Sequence, residues 1–145
     1  AVKSLDPTRL VIGATGYADE GVGDAISFHS YNRVEFPEVG TGAARVLAEW
    51  GGLGWPLSAH LWEADDLRWA EPGYVESAPS SAALLQRYRH YVNQIGALRH
   101  NVGLSAAVYS QLTDVEREAT GWITYDREVT KAAPEHVYAI HRLLH

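Results

Sequence analysis

The chain contains no cysteine, which excludes a disulfide framework and thiolate chemistry and leaves its redox compartment unread. It also contains no methionine. An intact translation product begins with one, and domains of this size commonly place several in the core, so the chain reads as a portion of something longer. No run of lysine or arginine interrupts a formal net charge of −6. Phosphate binding needs a basic footprint, so the charge argues against a nucleic-acid partner and equally disfavours an anionic membrane surface. No apolar run is long enough to span a bilayer, and the opening residues do not read as a charged-then-apolar leader, so the expectation is a soluble chain with no membrane partner. What remains is ordinary. The 145 residues, 46% hydrophobic and 21% charged, suffice for a single domain with a real core.

Four short apolar segments read as strands: Arg9–Gly13, Ala25–Tyr31, Arg45–Glu49 and Leu104–Tyr109. Continuous apolar runs of this kind suit strands buried on both faces, as in a parallel sheet. Between the third and fourth, Leu84, Leu85, Tyr88, Tyr91, Val92, Ile95 and Leu98 recur at helical spacing, which predicts a helix over Ser81–His100. Ser80 or Ser81 can cap its start and Gly103 lies just past its end. A second amphipathic helix, Pro134–Leu144, turns Val137, Ile140 and Leu144 inward. Ala1–Leu5 resembles the tail of a helix. Strand followed by helix is the β/α pattern. The segment from Trp50 to Pro79 is a long loop that carries Trp55, Trp62 and Trp69, and loops of that length in compact domains tend to be functional.

Glu49 is the most suggestive residue. A short strand carries this lone carboxylate to its C-terminal end, and Gly51-Gly52-Leu53-Gly54 follow. In a β/α barrel, side chains at the C-terminal ends of the strands face the active site. The plainer alternative is a loop carboxylate beside a turn. Asp24, Asp114, Glu116 and Glu118 are expected to be solvated loop acids or caps. His60 and Glu63 have a spacing seen in metal sites, but no third ligand is evident, so neither metal nor cofactor is assigned.

Five segments, taken together, point further. Lys3-Ser4-Leu5-Asp6-Pro7-Thr8-Arg9-Leu10-Val11 is followed by Val22-Gly23-Asp24 leading to His29-Ser30-Tyr31. Next come Ala48-Glu49-Trp50-Gly51-Gly52-Leu53-Gly54-Trp55-Pro56, then Ser105 to Glu116, then Thr124-Tyr125-Asp126-Arg127. In this order and spacing they resemble the catalytic barrel of glycoside hydrolase family two, the family of β-galactosidases and β-glucuronidases. The resemblance implies that the chain is a single partial domain over residues 1–145. Its fold would be α/β, the C-terminal half, about four β/α units, of a (β/α)8 TIM barrel. It further implies that Glu49 is the catalytic nucleophile of a retaining enzyme and that the Tyr31 hydroxyl hydrogen-bonds it. His29 would bind the substrate, and Tyr109 or Gln111 would line the floor of the site; separately from the resemblance, Trp50, Trp55, Trp62 and Trp69 offer flat faces suited to a sugar ring, with at least two of the four expected to pack in the loop core instead. The chain departs from many relatives in having Ala48-Glu49-Trp50 where Gly-Glu-Phe or Ser-Glu-Tyr stands.

Retaining glycosidases need a second carboxyl group about 5 Å from the nucleophile to protonate the leaving oxygen. In this family that acid/base is a Glu after Asn on an earlier strand, and no Asn-Glu pair occurs here. The expected partners are therefore a β-glycoside substrate and either the N-terminal half of the barrel or a second copy. Two alternatives stand beside this reading: a non-catalytic carbohydrate-binding module built on the tryptophans, and a half-barrel interaction fragment with exposed strand edges. A nucleotide site is suggested by Leu10-Val11-Ile12-Gly13-Ala14-Thr15-Gly16, but the residues that follow do not open a helix as that motif requires.

Overall fold

The computed structural model describes residues 1–16, 21–37, 42–63 and 76–144. Its elements are α1 (Val2–Leu5), β1 (Ala25–Tyr31), β2 (Ala44–Gly51), β3 (Leu53–Gly54), β4 (Glu76–Ser77), α2 (Ser81–Asn101), β5 (Leu104–Ser110) and α3 (Pro134–His141). β1, β2 and β5 form a three-stranded sheet in that order, with both pairings parallel. β3 and β4 form a separate parallel pair. The architecture is mixed α/β, with the parallel sheet at its centre. None of its helices is long and apolar enough to cross a membrane, among the described residues.

Three of the four expected strands are present in this sheet, and the difference has a local cause. Arg9–Gly13 does not form a strand; Ile12 makes only an isolated antiparallel bridge to Gly23. Asp24 takes both backbone groups of Val11. Its carboxylate accepts from Val11 N at 2.7 Å, and its own N–H donates to Val11 O at 2.7 Å. The Asp24 N–H to Val11 O bond is the backbone bond of that single bridge, while the carboxylate takes the Val11 N–H that a longer ladder would use, and Leu10 is left 85% exposed.

α2 forms where the apolar periodicity placed it. The Ser80 hydroxyl accepts from Ala83 N at 3.2 Å, capping the start. Leu84, Tyr88, Tyr91, Val92 and Ile95 are buried along one face, each adding roughly 1.5–3 kcal/mol of apolar burial. Gly103, at φ +69°, reverses the chain into β5. α3 packs on α2 through Ile140, with Val137 and Leu144 partly buried beside it. The Tyr88 hydroxyl lies 2.9 Å from His141 Nδ1.

β2 is irregular against both neighbours at the same place. Against β1 the partners run Phe28↔Leu47 and then His29↔Glu49. Against β5 they run Leu47↔Ala107 and then Trp50↔Tyr109, and an opposite shift between Arg45 and Val46 gives β5 an extra residue, Ser105, at its start. Between Leu47 and Trp50 the surplus is on β2 in both pairings, so Ala48 and Glu49 sit in a β-bulge. In a regular strand Leu47 and Trp50, three positions apart, would face opposite sides. The bulge lets both enter the layer beneath α2, where Leu47 is 0% and Trp50 1% exposed.

After β5 the chain folds back through bridges between Thr113 and Ile123 and between Ile123 and Thr130. A buried ion pair closes this segment. Lys131 Nζ lies 2.7 Å from Asp114 Oδ1 and 2.9 Å from Ala119 O, and Gly121 N donates to the same carboxylate oxygen at 2.8 Å. Asp114 is thus no solvated loop acid as expected: its side chain is 2% exposed and that of Lys131 0%. A side chain on Gly121 would meet the Thr113–Asp114 backbone, and that close approach delivers its N–H to the carboxylate.

Candidate active site

Because the three strands run parallel, their C-terminal ends share one edge of the sheet. That edge is where open parallel sheets usually place their sites. His29 and Tyr31 close β1, and Glu49 lies directly across from His29 in β2. Phe28 packs into the helix-side core, so strand alternation turns His29 and Tyr31 to the other face.

The Tyr31 hydroxyl donates to Glu49 Oε2. His29 Nδ1 stands 3.6 Å from the same oxygen, with the His29 side chain 18% and the Glu49 side chain 41% exposed. Both contacts fall on Oε2. The carboxylate is therefore held at one oxygen and still open to an incoming molecule. Thr15 Oγ1 supports the far side of the imidazole at 3.1 Å from Nε2, and sequence reasoning missed it. No periodicity marks Thr15; its one signal is its position in the glycine-bearing turn ahead of β1.

The remaining residues expected at the sugar are distributed differently. Trp50 is a correction. It is 1% exposed, stacked on Tyr88 with ring centroids 5.6 Å apart, and belongs to the core because the bulge turned it there. The Tyr109 ring packs against Trp50 at 5.0 Å, Tyr88 at 5.5 Å and Trp122 at 5.3 Å. Burial pushes the Tyr109 hydroxyl far above the ordinary tyrosine range. It lies 3.4 Å from Thr120 O as a donor, so its polar tip is directed to the loop after β5. The Gln111 amide donates to Glu118 Oε2 at 3.1 Å and Thr120 Oγ1 at 3.4 Å, which ties it into that loop as well. Trp62 keeps an open face, 49% exposed, and meets Tyr125 edge-on at 4.9 Å. Trp55 packs partly against the core. Trp69 lies outside the described residues.

Glu63 does not join His60; Arg117 Nη2 takes its carboxylate at 3.4 Å. His60 instead meets Asp126 and Glu128, and one ligand atom from each of the three lies within 4.8 Å of the others. His60 Nδ1 and Asp126 Oδ2 are 2.6 Å apart. Hydrogen bonds from Thr124, His60 and the Glu128 N–H hold the Asp126 carboxyl down at about 2. The short His60–Asp126 contact engages one potential ligand atom from each of these two residues.

A groove of about 480 Å³ runs beside the end of β1, lined by Phe28, His29, Val34, Phe36 and Leu98 among others. It reaches His29 but not Glu49 or Tyr31. No protein-family model and no curated protein matches the chain. Function is therefore inferred from the geometry of this edge and from the motifs quoted above.

Proposed function

We propose that the chain is the C-terminal half of a (β/α)8 barrel and supplies the nucleophile side of a retaining, β-galactosidase-like glycosidase site. The observation that carries this reading is the hydrogen bond from Tyr31 to Glu49 across the C-terminal edge of two adjacent parallel strands. With Oε2 engaged, Oε1 is the oxygen that attacks the anomeric carbon as the leaving oxygen departs, forming a glycosyl-enzyme ester. Tyr31 keeps the attacking group oriented. His29 approaches the same carboxylate and lines the adjoining groove, which suits contact with a sugar hydroxyl.

A second feature supports a barrel wall. The sheet carries α2 on one face, while Val108 on β5 is 55% exposed and Ala106 is exposed as well. Parallel sheets are normally covered on both faces. The missing cover and the missing acid/base would come together from an N-terminal half.

The test is intact mass spectrometry after incubation with fluorosugar glycosides that carry activated leaving groups. Such groups need little acid assistance, so the nucleophile is labelled even without its acid/base. One adduct mapping to Glu49, absent in Glu49→Gln and slower in Tyr31→Phe, is the expected result. A parent protein with the remaining strands that labels elsewhere, or keeps full activity as Glu49→Gln, overturns the assignment.

A further inference from the structure

Two loops meet at His60, Asp126 and Glu128. A single 3-10 turn, Ser58–His60, carries the imidazole, and the turn over 124–129 carries both carboxylates. That turn is closed by Thr124 N donating to Val129 O at 3.0 Å and Arg127 N donating to Thr124 O at 2.9 Å, with Arg127 at φ +67°. Asp126 Oδ1 accepts from Thr124 Oγ1 at 2.7 Å and from Glu128 N at 3.1 Å, which fixes the carboxylate and leaves Oδ2 facing His60. The loops are also joined away from the cluster. Trp55 N donates to Ala119 O at 3.0 Å, Arg117 reaches Glu63 at 3.4 Å, and Trp62 meets Tyr125 edge-on. These outer contacts bring the three groups together and pre-organise them.

Charge does not balance inside the cluster. One ligand atom from each residue lies within 4.8 Å of the others, and even a protonated imidazole leaves the two carboxylates one positive charge short. The Glu128 carboxylate has no hydrogen bond or ion pair among the described residues. Arg127, between the two acids, directs Nη1 to Tyr125 O at 2.6 Å instead. A divalent cation balances both carboxylates with the imidazole neutral. One imidazole nitrogen and two carboxylate oxygens suit zinc, cobalt or nickel, whereas magnesium and calcium take oxygen sets.

The geometry allows it after a small movement. Zinc held tetrahedrally at about 2.0–2.2 Å sets two of its ligand atoms about 3.4 Å apart. His60 Nδ1 and Asp126 Oδ2 are 2.6 Å apart, so they need to part by about 0.8 Å, and the exposed Glu128 swings in from the surface. Nδ1 is then without its hydrogen. Nε2, which has no protein partner among the described residues, carries it instead and faces water.

We propose that His60, Asp126 and Glu128 form a zinc-class metal site that clasps the loop after β3 to the loop after β5, with water in the fourth position. No step of the glycosidase reading enters this proposal.

The experiment is isothermal titration of the untagged chain with zinc chloride at neutral pH. One zinc per chain is expected. His60→Gln and Glu128→Gln should each weaken binding at least about tenfold, since changes to partners outside a ligand set already cost about 10–100-fold. His100→Gln and His136→Gln, which remove exposed imidazoles, should leave it unchanged. Because the Glu128 side chain holds nothing in place, its variant tests the site even if His60→Gln does not fold. Zinc should also raise the Tm of the wild type by binding the folded state, and raise that of Glu128→Gln by less at the same concentration. Four results would each overturn the site: no saturable zinc binding, binding that neither His60→Gln nor Glu128→Gln weakens, binding lost with His100 or His136, or magnesium or calcium bound as tightly as zinc. Fluorosugar labelling of Glu49 is a separate readout, so failure of the glycosidase reading and failure of the metal site are told apart.

Discussion

Removing the Lys131 ammonium should cost more stability than its ion pair contributes. In Lys131→Met, Asp114 Oδ1 would keep only the Gly121 N–H at 2.8 Å, and Oδ2 already lacks a partner. Breaking a buried pair on one side typically costs about 3–5 kcal/mol. For a chain of this length that corresponds to a fall in Tm of roughly 10 °C. The pair itself is not a net gain. Burial pushes the Asp114 carboxyl above its ordinary value and the Lys131 ammonium below its own, desolvation outweighing mutual attraction on both partners. Replacing both, as in Asp114→Leu with Lys131→Met, recovers about 1–4 kcal/mol of desolvation. It also orphans Gly121 N–H and Ala119 O, at about 1–3 kcal/mol each, so the double variant should fall between wild type and the single variant.

The pH dependence has a definite sign. With its folded value raised, Asp114 contributes stability that is full below the ordinary carboxyl value and lost as pH rises through the folded one. A protonated Asp114 needs no ammonium, so the gap between wild type and Lys131→Met should narrow as the carboxyl titrates on acidification. Urea unfolding at neutral and acidic pH measures both effects. A single-variant loss below about 1 kcal/mol at neutral pH, or a gap that widens on acidification, would refute the reasoning.

Trp50→Ala should lose about 3–5 kcal/mol in urea unfolding, as for other fully buried aromatics. Trp50→Phe should lose much less, because the indole N–H it removes is buried with no partner; equal losses would place the ring outside the core. Asp126, held down at about 2, contributes stability that is present above the ordinary carboxyl value of 3.8 and lost as pH falls toward 2. Asp126→Asn should flatten that acid limb of the stability curve, and an unchanged limb would mean that the Thr124 and His60 contacts do not hold in solution.

The elements most legible in the sequence were those with one dominant period. α2 follows from its apolar stripe and the Ser80 cap, and β1, β2 and β5 follow from uninterrupted apolar runs. Legibility failed where side chains settled the outcome at a distance. Arg9–Gly13 has strand-like composition, yet Asp24 closes its backbone locally. Asp114 looks like any loop acid until Lys131, seventeen positions away, folds onto it. Trp50 is expected at the sugar from its flat aromatic face, whereas β2 runs on to Gly51 and the bulge turns the ring beneath α2. The resemblance implies the pairing of Tyr31 with Glu49, and the two side chains do meet near the C-terminal edge of adjacent parallel strands. The contact between the Thr15 and Ser27 hydroxyls was not legible, since a hydroxyl in a turn and one in a strand carry no pattern that joins them.

The bulge at Ala48 and Glu49 has a consequence for how this chain can change over generations. Substitutions alter what stands at each station of β2 but not which side the station faces. Loss of the single codon for Ala48 would remove the surplus residue and leave Leu47 and Trp50 two positions apart, so plain alternation would keep both in the layer beneath α2 and Glu49 on the face of Tyr31. The same loss at a station without a surplus, such as Val46, would slip the strand by one residue and turn the side chains beyond it to the opposite face. In-frame deletion is therefore tolerable at the bulge and disruptive in the regular part of the strand.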